Sequence, residues 1–398
     1  MDLLYRIYQF VFKIIAYFLP WRKPEIISGE NSLLELPNHL KEKAIDRVLI
    51  VTDETIHSLG LIDSLKRGLE REGIFYTIYD KTVPNPTITN VEEAVIMYES
   101  KACVGIIAVG GGSPIDCAKV VGARVVRSKK SIPDLKGVLK VRKRIPPLIA
   151  IPTTAGTGSE ATIAAVISNS ETKEKYAILD HGLIPMYAVH DPTLLVKMPP
   201  HITAMTGMDA LTHAIEAYIG RSHTKKTRKY SEEVVKLVFD YLYESYLNGS
   251  NVKAREKMLE AAYKGGLAFT RAYVGNIHAI AHTLSGFYDT PHGLANAVIL
   301  PYVLEYYGAV VHKPLAKLAD IVEVTKEGDS IDLKAQKFID AIKALNQSME
   351  IPVKISGIKK EDIPEMINRA LAEANPLYPV PKIFNEKDMH SIYQLISE

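Results

Sequence analysis

From Ala44 onward, short apolar runs alternate with stretches of helical periodicity. AIDRVLIVTD reads as a buried strand, and the segment from Ser58 to Gly73 as a helix ending at a glycine. IFYTIYD is a second strand, NVEEAVIMYESK a second helix and VGIIAVGGG a third strand; a helix follows from Pro114, and PPLIAIPTT is a further strand. Near-continuous apolar strands alternating with helices predict a parallel sheet covered on both faces. From about Met198 the strand signals stop. Helical patterns then run over Ala204 to Ile219, Tyr230 to Tyr246, Val252 to Tyr273 and Asn276 to Gly286, and continue to the C-terminus. The expectation is an α/β domain over residues 23–195 and an all-α domain over residues 196–398, joined by the Pro-containing stretch Asp191 to His201. There is no internal repeat and no low-complexity segment.

Residues 1–22 break this pattern. MDLLYRIYQFVFKIIAYFLP is apolar except for Asp2, Arg6, Gln9 and Lys13, which fall at helical spacing as one narrow polar stripe. Arg6 and Lys13 would be costly inside a bilayer span, and the segment lacks the basic start and small-residue cleavage site of a signal peptide. Two readings stand. The wide apolar face docks on the protein or on a second subunit. Alternatively, residues 1–20 lie in the plane of a membrane as a peripheral anchor, with Trp21, Arg22 and Lys23 at the interface. Pro20 ends the helix in either case.

Composition narrows the class. Of 398 residues, 47% are hydrophobic and 24% charged, which suits a soluble globular protein of two domains. The net charge of +2 argues against a nucleic-acid partner, since the basic runs KVRKR and KKTRK are balanced elsewhere. Two cysteines, Cys103 and Cys117, make no disulfide framework and have no ligand-spaced partners, so they read as packing residues of a cytoplasmic protein.

Two sets of residues carry candidate chemistry. In VGIIAVGGGSPIDCAK, Gly110, Gly111 and Gly112 let backbone approach a ligand, and Ser113 and Pro114 suit the cap and first turn of a helix whose amides favour a pyrophosphate. IPTTAGTGSEAT adds hydroxyls and glycines. Asp53 at a strand end can accept bonds from a ribose and repel a 2′-phosphate, favouring NAD over NADP, or it can simply cap the next helix. In the second set, Asp209 and His213 are four apart in GMDALTHAIEAYIG, His278 and His282 four apart in NIHAIAHTLSGFYDTPHG, and His292 follows. Each pair shares a helix face, and Asp209, His213, His278 and His292 suit Fe(II) or Zn(II) better than Mg or Ca.

Together these motifs resemble the iron-containing, group III alcohol dehydrogenase family. The similarity runs from about Pro24 to the C-terminus through VTDETI, NPT, GGGSPIDCAK, IPTTAGTGSE, GMDALTHAIEAY, the HxxxH…PHG segment and NPLYPVP. It implies a dehydroquinate synthase-like fold: a Rossmann-like, dinucleotide-binding α/β domain and an all-α domain, with the active site in the cleft between. It further implies cofactor contacts at Asp53, Asn85, Gly111, Gly112, Ser113, Thr153, Thr154, Thr157 and Lys175, and metal ligands at Asp209, His213, His278 and His292. His282 falls near the nicotinamide, as a proton relay or as a hydrogen-bond partner of a ligand. Phe269 and Ala164 fall on substrate-lining positions, and their apolar character predicts medium-chain aliphatic alcohols over short diols. Arg271, Tyr273 and Asn276 depart from the family's usual residues. The implied activity is an NAD-linked alcohol dehydrogenase working mainly as an aldehyde reductase, in a homodimer or larger homo-oligomer. The competing readings are a zinc-dependent glycerol or polyol dehydrogenase and a membrane-associated, non-catalytic nucleotide-binding protein.

Overall fold

A computed structural model describes residues 2–17, 21–172 and 174–398, Tyr17 by its backbone alone. Pro20, expected to end the first helix, lies outside the described residues. The chain divides into two compact units. The α/β unit holds residues 20–198 and 249–259; the helical unit holds residues 1–19, 199–248 and 260–398.

Among the described residues the α/β unit has nine strands: β1 (Glu25–Ser28), β2 (Arg47–Val51), β3 (Phe75–Tyr79), β4 (Gly105–Gly110), β5 (Gly137–Val138), β6 (Leu148–Pro152), β7 (Ala164–Asn169), β8 (Glu174–Leu179) and β9 (Tyr187–His190). Six form an all-parallel sheet in the order β1-β9-β6-β4-β2-β3. Its central strands β4 and β6 are buried at every residue, which is why both read as unbroken apolar runs. The helices of this unit are α2 (Leu36–Glu42), α3 (Glu54–Ser58), α4 (Asp63–Arg71), α5 (Ile88–Ser100) and α6 (Gly112–Val126). The helix expected from Ser58 is interrupted: α3 ends at Ser58, Gly60 turns with φ +70°, and α4 starts at Asp63. A second sheet escaped the sequence pattern. β7 and β8 pair antiparallel and the two-residue β5 joins β8; β7 and β8 mix buried with half-buried positions and so lack the unbroken apolar run of β4 and β6.

The helical unit contains α1 (Asp2–Tyr17), α7 (Pro200–Ile219), α8 (Lys225–Leu247), α10 (Asn276–Tyr288), α11 (His292–Tyr307), α12 (Ala309–Ile321), α13 (Ile331–Ser348), α14 (Ile363–Ala374) and α15 (Glu386–Ile396); α9 (Val252–Ala272) begins in the α/β unit and continues into this one. Thirteen successive residues of α7, Gly207–Ile219, are buried, so the C-terminal part of this helix is enclosed on all sides. Gly207 permits it: a Cβ there would lie 2.2 Å from Leu242 Cδ1 on α8.

Helix α1 departs from the expectation that its apolar face docks on its own chain. It meets the unit mainly through its polar stripe: Arg6 donates to the carbonyls of Val380 (2.7 Å) and Pro381 (3.1 Å), and Gln9 to those of Pro376 (3.2 Å) and Tyr378 (2.8 Å), with Phe12 against Tyr273 at the edge of the stripe. Capturing main-chain carbonyls that no helix or strand satisfies is worth more than hydrating the stripe. Trp21 and Arg22 are engaged within the α/β unit: Trp21 packs edge-on against His181 (4.9 Å between centroids), and Arg22 donates to the Ile184 and Pro185 carbonyls.

Candidate dinucleotide and metal sites

In the α/β unit, β4 ends in Gly110, whose φ of +149° suits only glycine. Gly111 caps α6, so Ser113 lies within the first turn and is not the cap. A Cβ on Gly111 would sit 3.3 Å from Thr154 Oγ1, and one on Gly112 2.9 Å from Thr157 Cγ2. The TTAGTG loop therefore packs directly on the glycine turn, and Thr153 N bonds to the Gly110 carbonyl (2.9 Å). Ser113 Oγ accepts from Asn85 N (3.3 Å), and Lys175 Nζ donates to Asn85 Oδ1 (2.7 Å). Asn85 holds a left-handed φ of 57°, a conformation asparagine tolerates. Asn85, Gly111, Gly112, Ser113, Thr153, Thr154, Thr157 and Lys175 are thus linked through one loop cluster at the N-terminus of α6, where a phosphate would meet amides and a cation. Asp53 stands apart and caps α3, its Oδ1 accepting from Ile56 N (2.8 Å).

Below this cluster, Lys119 is fully buried and donates to Ser159 O and Oγ, Thr162 Oγ1 and the Ala164 carbonyl, pinning the loop and the start of β7 to α6. Burial pushes its pKa down to about 8, against the attraction of Asp116 and Glu160. Ala164 is thereby fixed through its backbone.

In the helical unit, Asp209, His278 and His292 each offer a ligand atom within 4.8 Å of one another. α7 supplies Asp209, α10 supplies His278, and His292 opens α11. Their acceptors converge on one point. Asn296 Nδ2 lies 2.8 Å from Asp209 Oδ1, 3.2 Å from His278 Nε2 and 3.1 Å from His292 Nε2, while its buried Oδ1 has no hydrogen-bond partner. Acceptors from three helices gathered within hydrogen-bond reach of one hydrogen-bearing group suit a cation, and imidazole with carboxylate suits Fe(II) or Zn(II). His213 borders this group, with Nδ1 3.9 Å from Asp209 Oδ2 and its ring against that of His278 at 4.5 Å. Phe269 stacks on the opposite side of His213 at 4.2 Å.

Carboxylates behind these rings set their orientation, and none of them figured among the predicted residues. Glu216, one turn beyond His213, accepts from His278 Nδ1 (2.6 Å) and from the amides of Gly275 (2.9 Å) and Ile277 (2.8 Å). One side chain thus caps α10 and leaves His278 Nε2 facing Asp209. Burial lowers the His278 pKa, but Glu216 more than offsets it and the net shift is upward. Glu373 on α14 accepts from His282 Nδ1 (2.6 Å) and from the Tyr378 hydroxyl (2.7 Å). Burial pushes the Glu373 pKa up, yet His282 and Tyr378 together hold it below the usual range. His282 stacks on His292 at 5.0 Å between centroids, with its Nδ1 committed to Glu373. The sequence did carry a signal for two of these partners: Asn296 is four residues past His292, and Glu216 seven past Asp209, each on its ligand's face. Glu373 carried none. Asn276 now has a role, donating to Tyr307 Oη and the Lys382 carbonyl at the start of α10. Tyr273 packs against Phe12 of α1.

Both units match known proteins. The profile described as "Iron-containing alcohol dehydrogenase" matches residues 23–192, and "Fe-containing alcohol dehydrogenase family, C-terminal" matches residues 203–396. The chain belongs to the iron-containing alcohol dehydrogenase family. It is 35% identical to the NAD-dependent methanol dehydrogenase of Bacillus methanolicus, over 90% of this chain and 93% of that one. It is 34% identical to the 1,3-propanediol dehydrogenase of Klebsiella pneumoniae, over 98% and 99%. Among solved structures, the alcohol dehydrogenase from Oenococcus oeni superposes with a TM-score of 0.91 at 35% identity, covering 95% of this chain and 99% of that one.

Proposed function

We propose that this enzyme interconverts a primary alcohol and its aldehyde with NAD, working mainly as a reductase. The observation that carries the reading is the convergence of Asp209, His278 and His292 on one point beside a histidine, His282, whose Nδ1 is tied to a carboxylate. A bound Fe(II) or Zn(II) would polarise the substrate oxygen as a Lewis acid, and bound NAD would exchange the hydride. Asp209, His213, His278 and His292 would hold the metal. Glu216 fixes the His278 tautomer that presents Nε2. Glu373 does the same for His282, so a proton is taken up or released at His282 Nε2, and the carboxylate stabilises the resulting imidazolium. In the α/β unit, the glycine turn, Ser113, Thr153, Thr154 and Thr157 would hold the pyrophosphate, with Asn85 and Lys175 beside it. The second oxygen of Asp53 would meet the ribose and disfavour a 2′-phosphate.

Phe269 and Ala164 support an apolar substrate of medium chain length, although the Klebsiella relative is named for a short diol. Consumption of NADH with an aldehyde chain-length series, run with and without a chelator and after reloading with Fe(II) or Zn(II), tests each part. Turnover that survives metal removal would sink the metal reading. A highest specificity constant for a three-carbon diol's aldehyde would sink the chain-length reading alone.

A further inference from the structure

Helix α1 is oriented with its apolar side outward. Gln9 and Ala16 are buried at 6% exposure, whereas Leu3 is 74%, Leu4 65%, Phe10 64% and Ile7 51% exposed. With Tyr8, Val11, Ile14 and Ile15, also exposed, these side chains fill one arc of roughly 160° on the helical wheel. The rotation of the helix is fixed. Arg6 and Gln9 make two bonds each to carbonyls between Pro376 and Pro381, and Lys13 Nζ donates to the Arg221 carbonyl (2.8 Å). Rolling the apolar arc inward would strip those carbonyls of their donors.

The segment that receives Lys13 is strongly basic. RSHTKKTRK, residues 221–229, carries Arg221, Lys225, Lys226, Arg228 and Lys229 and no acidic residue. Arg228 lies over the Tyr218 ring at 5.1 Å, while Arg221, Lys225, Lys226 and Lys229 are exposed. The helix that carries the apolar arc thus touches, through Lys13, the start of an exposed row of one sign.

We propose that α1 is an in-plane anchor for an anionic bilayer surface. Leu3, Leu4, Ile7, Phe10, Val11 and Ile14 enter the boundary between headgroups and acyl chains, and the basic segment rests on lipid phosphates. A second copy of the chain fits less well. A helix of this length, about 24 Å, offers only a few hundred Å² of apolar face, against about 800 Å² per partner in a stable interface. A two-fold contact through α1 would also bring the basic segments of both copies toward each other. No helix among the described residues is long and apolar enough to cross a membrane, so the contact is peripheral. The proposal does not rest on the catalytic reading.

The test is co-sedimentation of the full chain with vesicles of phosphatidylcholine, with and without phosphatidylglycerol. The expected result is binding to the anionic vesicles that weakens as salt rises. Phe10→Glu with Ile14→Glu should lower that partition at least about tenfold. Lys225→Glu with Lys226→Glu should lower it about tenfold on anionic vesicles. Both variants should keep wild-type turnover of a water-soluble aldehyde, which shows that they fold. Wild-type protein that stays in the supernatant with anionic vesicles overturns the proposal, as does undiminished binding by the Phe10/Ile14 variant. So does a wild-type dimer, indifferent to vesicles, that the Phe10/Ile14 variant converts to monomer.

Discussion

The two units build their sites from different parts of the chain. In the α/β unit the candidate cofactor cluster is mostly backbone: glycines that admit close approach, amides at the start of α6, and hydroxyls packed on the turn. In the helical unit the site is entirely side chain, three helices each contributing an imidazole or a carboxylate, with Glu216 and Glu373 holding rings from behind. A backbone site is specified by what is missing, a Cβ. A side-chain site is specified by what stands behind each ligand. The two should therefore fail independently and in different ways.

The largest expected effect is from His278→Ala. Turnover should fall by more than about a hundredfold and metal content should drop, with NADH affinity, read by fluorescence, unchanged. Concerted loss of NADH binding would break the comparison. Glu216→Gln leaves every proposed ligand in place and should still weaken metal affinity by about 10–100-fold in a competition titration with a chelator. Glu373→Gln should lower kcat about tenfold with metal content intact, because it acts on His282 and not on the metal. Gly112→Ala tests the other unit. The new Cβ meets Thr157 Cγ2 at 2.9 Å, so the loop must shift, and the Kd for NADH should rise about tenfold with metal content unchanged.

The smallest effect compares the units by alkaline stability. Burial, as the first cause in both, raises the Tyr98 and Tyr218 phenols from 10.0 to about 12; at Tyr218 the bond to Glu232 adds to it. Above pH 10 the unfolded phenols ionise while the folded ones stay protonated, so the folded state binds more protons and stability falls as pH rises toward 12. Tyr98→Phe and Tyr218→Phe should each make the decline in Tm between pH 9 and 11, about two pH units, shallower. Tyr218→Phe should lower Tm more at pH 9, because it also removes the bond to Glu232. Equal slopes in the variants and wild type would count against both shifts.

Much of the fold was legible because its signals are local. Parallel strands buried on both faces must be apolar throughout, so β2, β4 and β6 stand out, and helices such as α7 and α10 announce themselves by period. The β5-β8-β7 sheet was not legible: β5 is only two residues long, and β7 and β8, six residues each, are partly half-buried and carry polar residues such as Ser168, Asn169, Glu174 and Lys175 in place of an unbroken apolar run. The glycine turn was visible by composition, and the pairs Asp209/His213 and His278/His282 because residues four apart share a helix face. Glu373 was not, because it lies 91 residues from His282 and no spacing rule joins them.

The sequence by itself determined the order of elements, the two sets of chemical groups and the amphipathic character of α1. It could not determine which side of α1 faces the protein. Periodicity defines a stripe but not its partner, and the partner here is a set of carbonyls near Val380, brought to the helix from more than 360 residues away. Tertiary structure also decided which carboxylate stands behind each histidine. Hydrogen bonds of 2.6 Å depend on where α10 and α14 pack, and packing is the sum of many weak contacts that no single motif records.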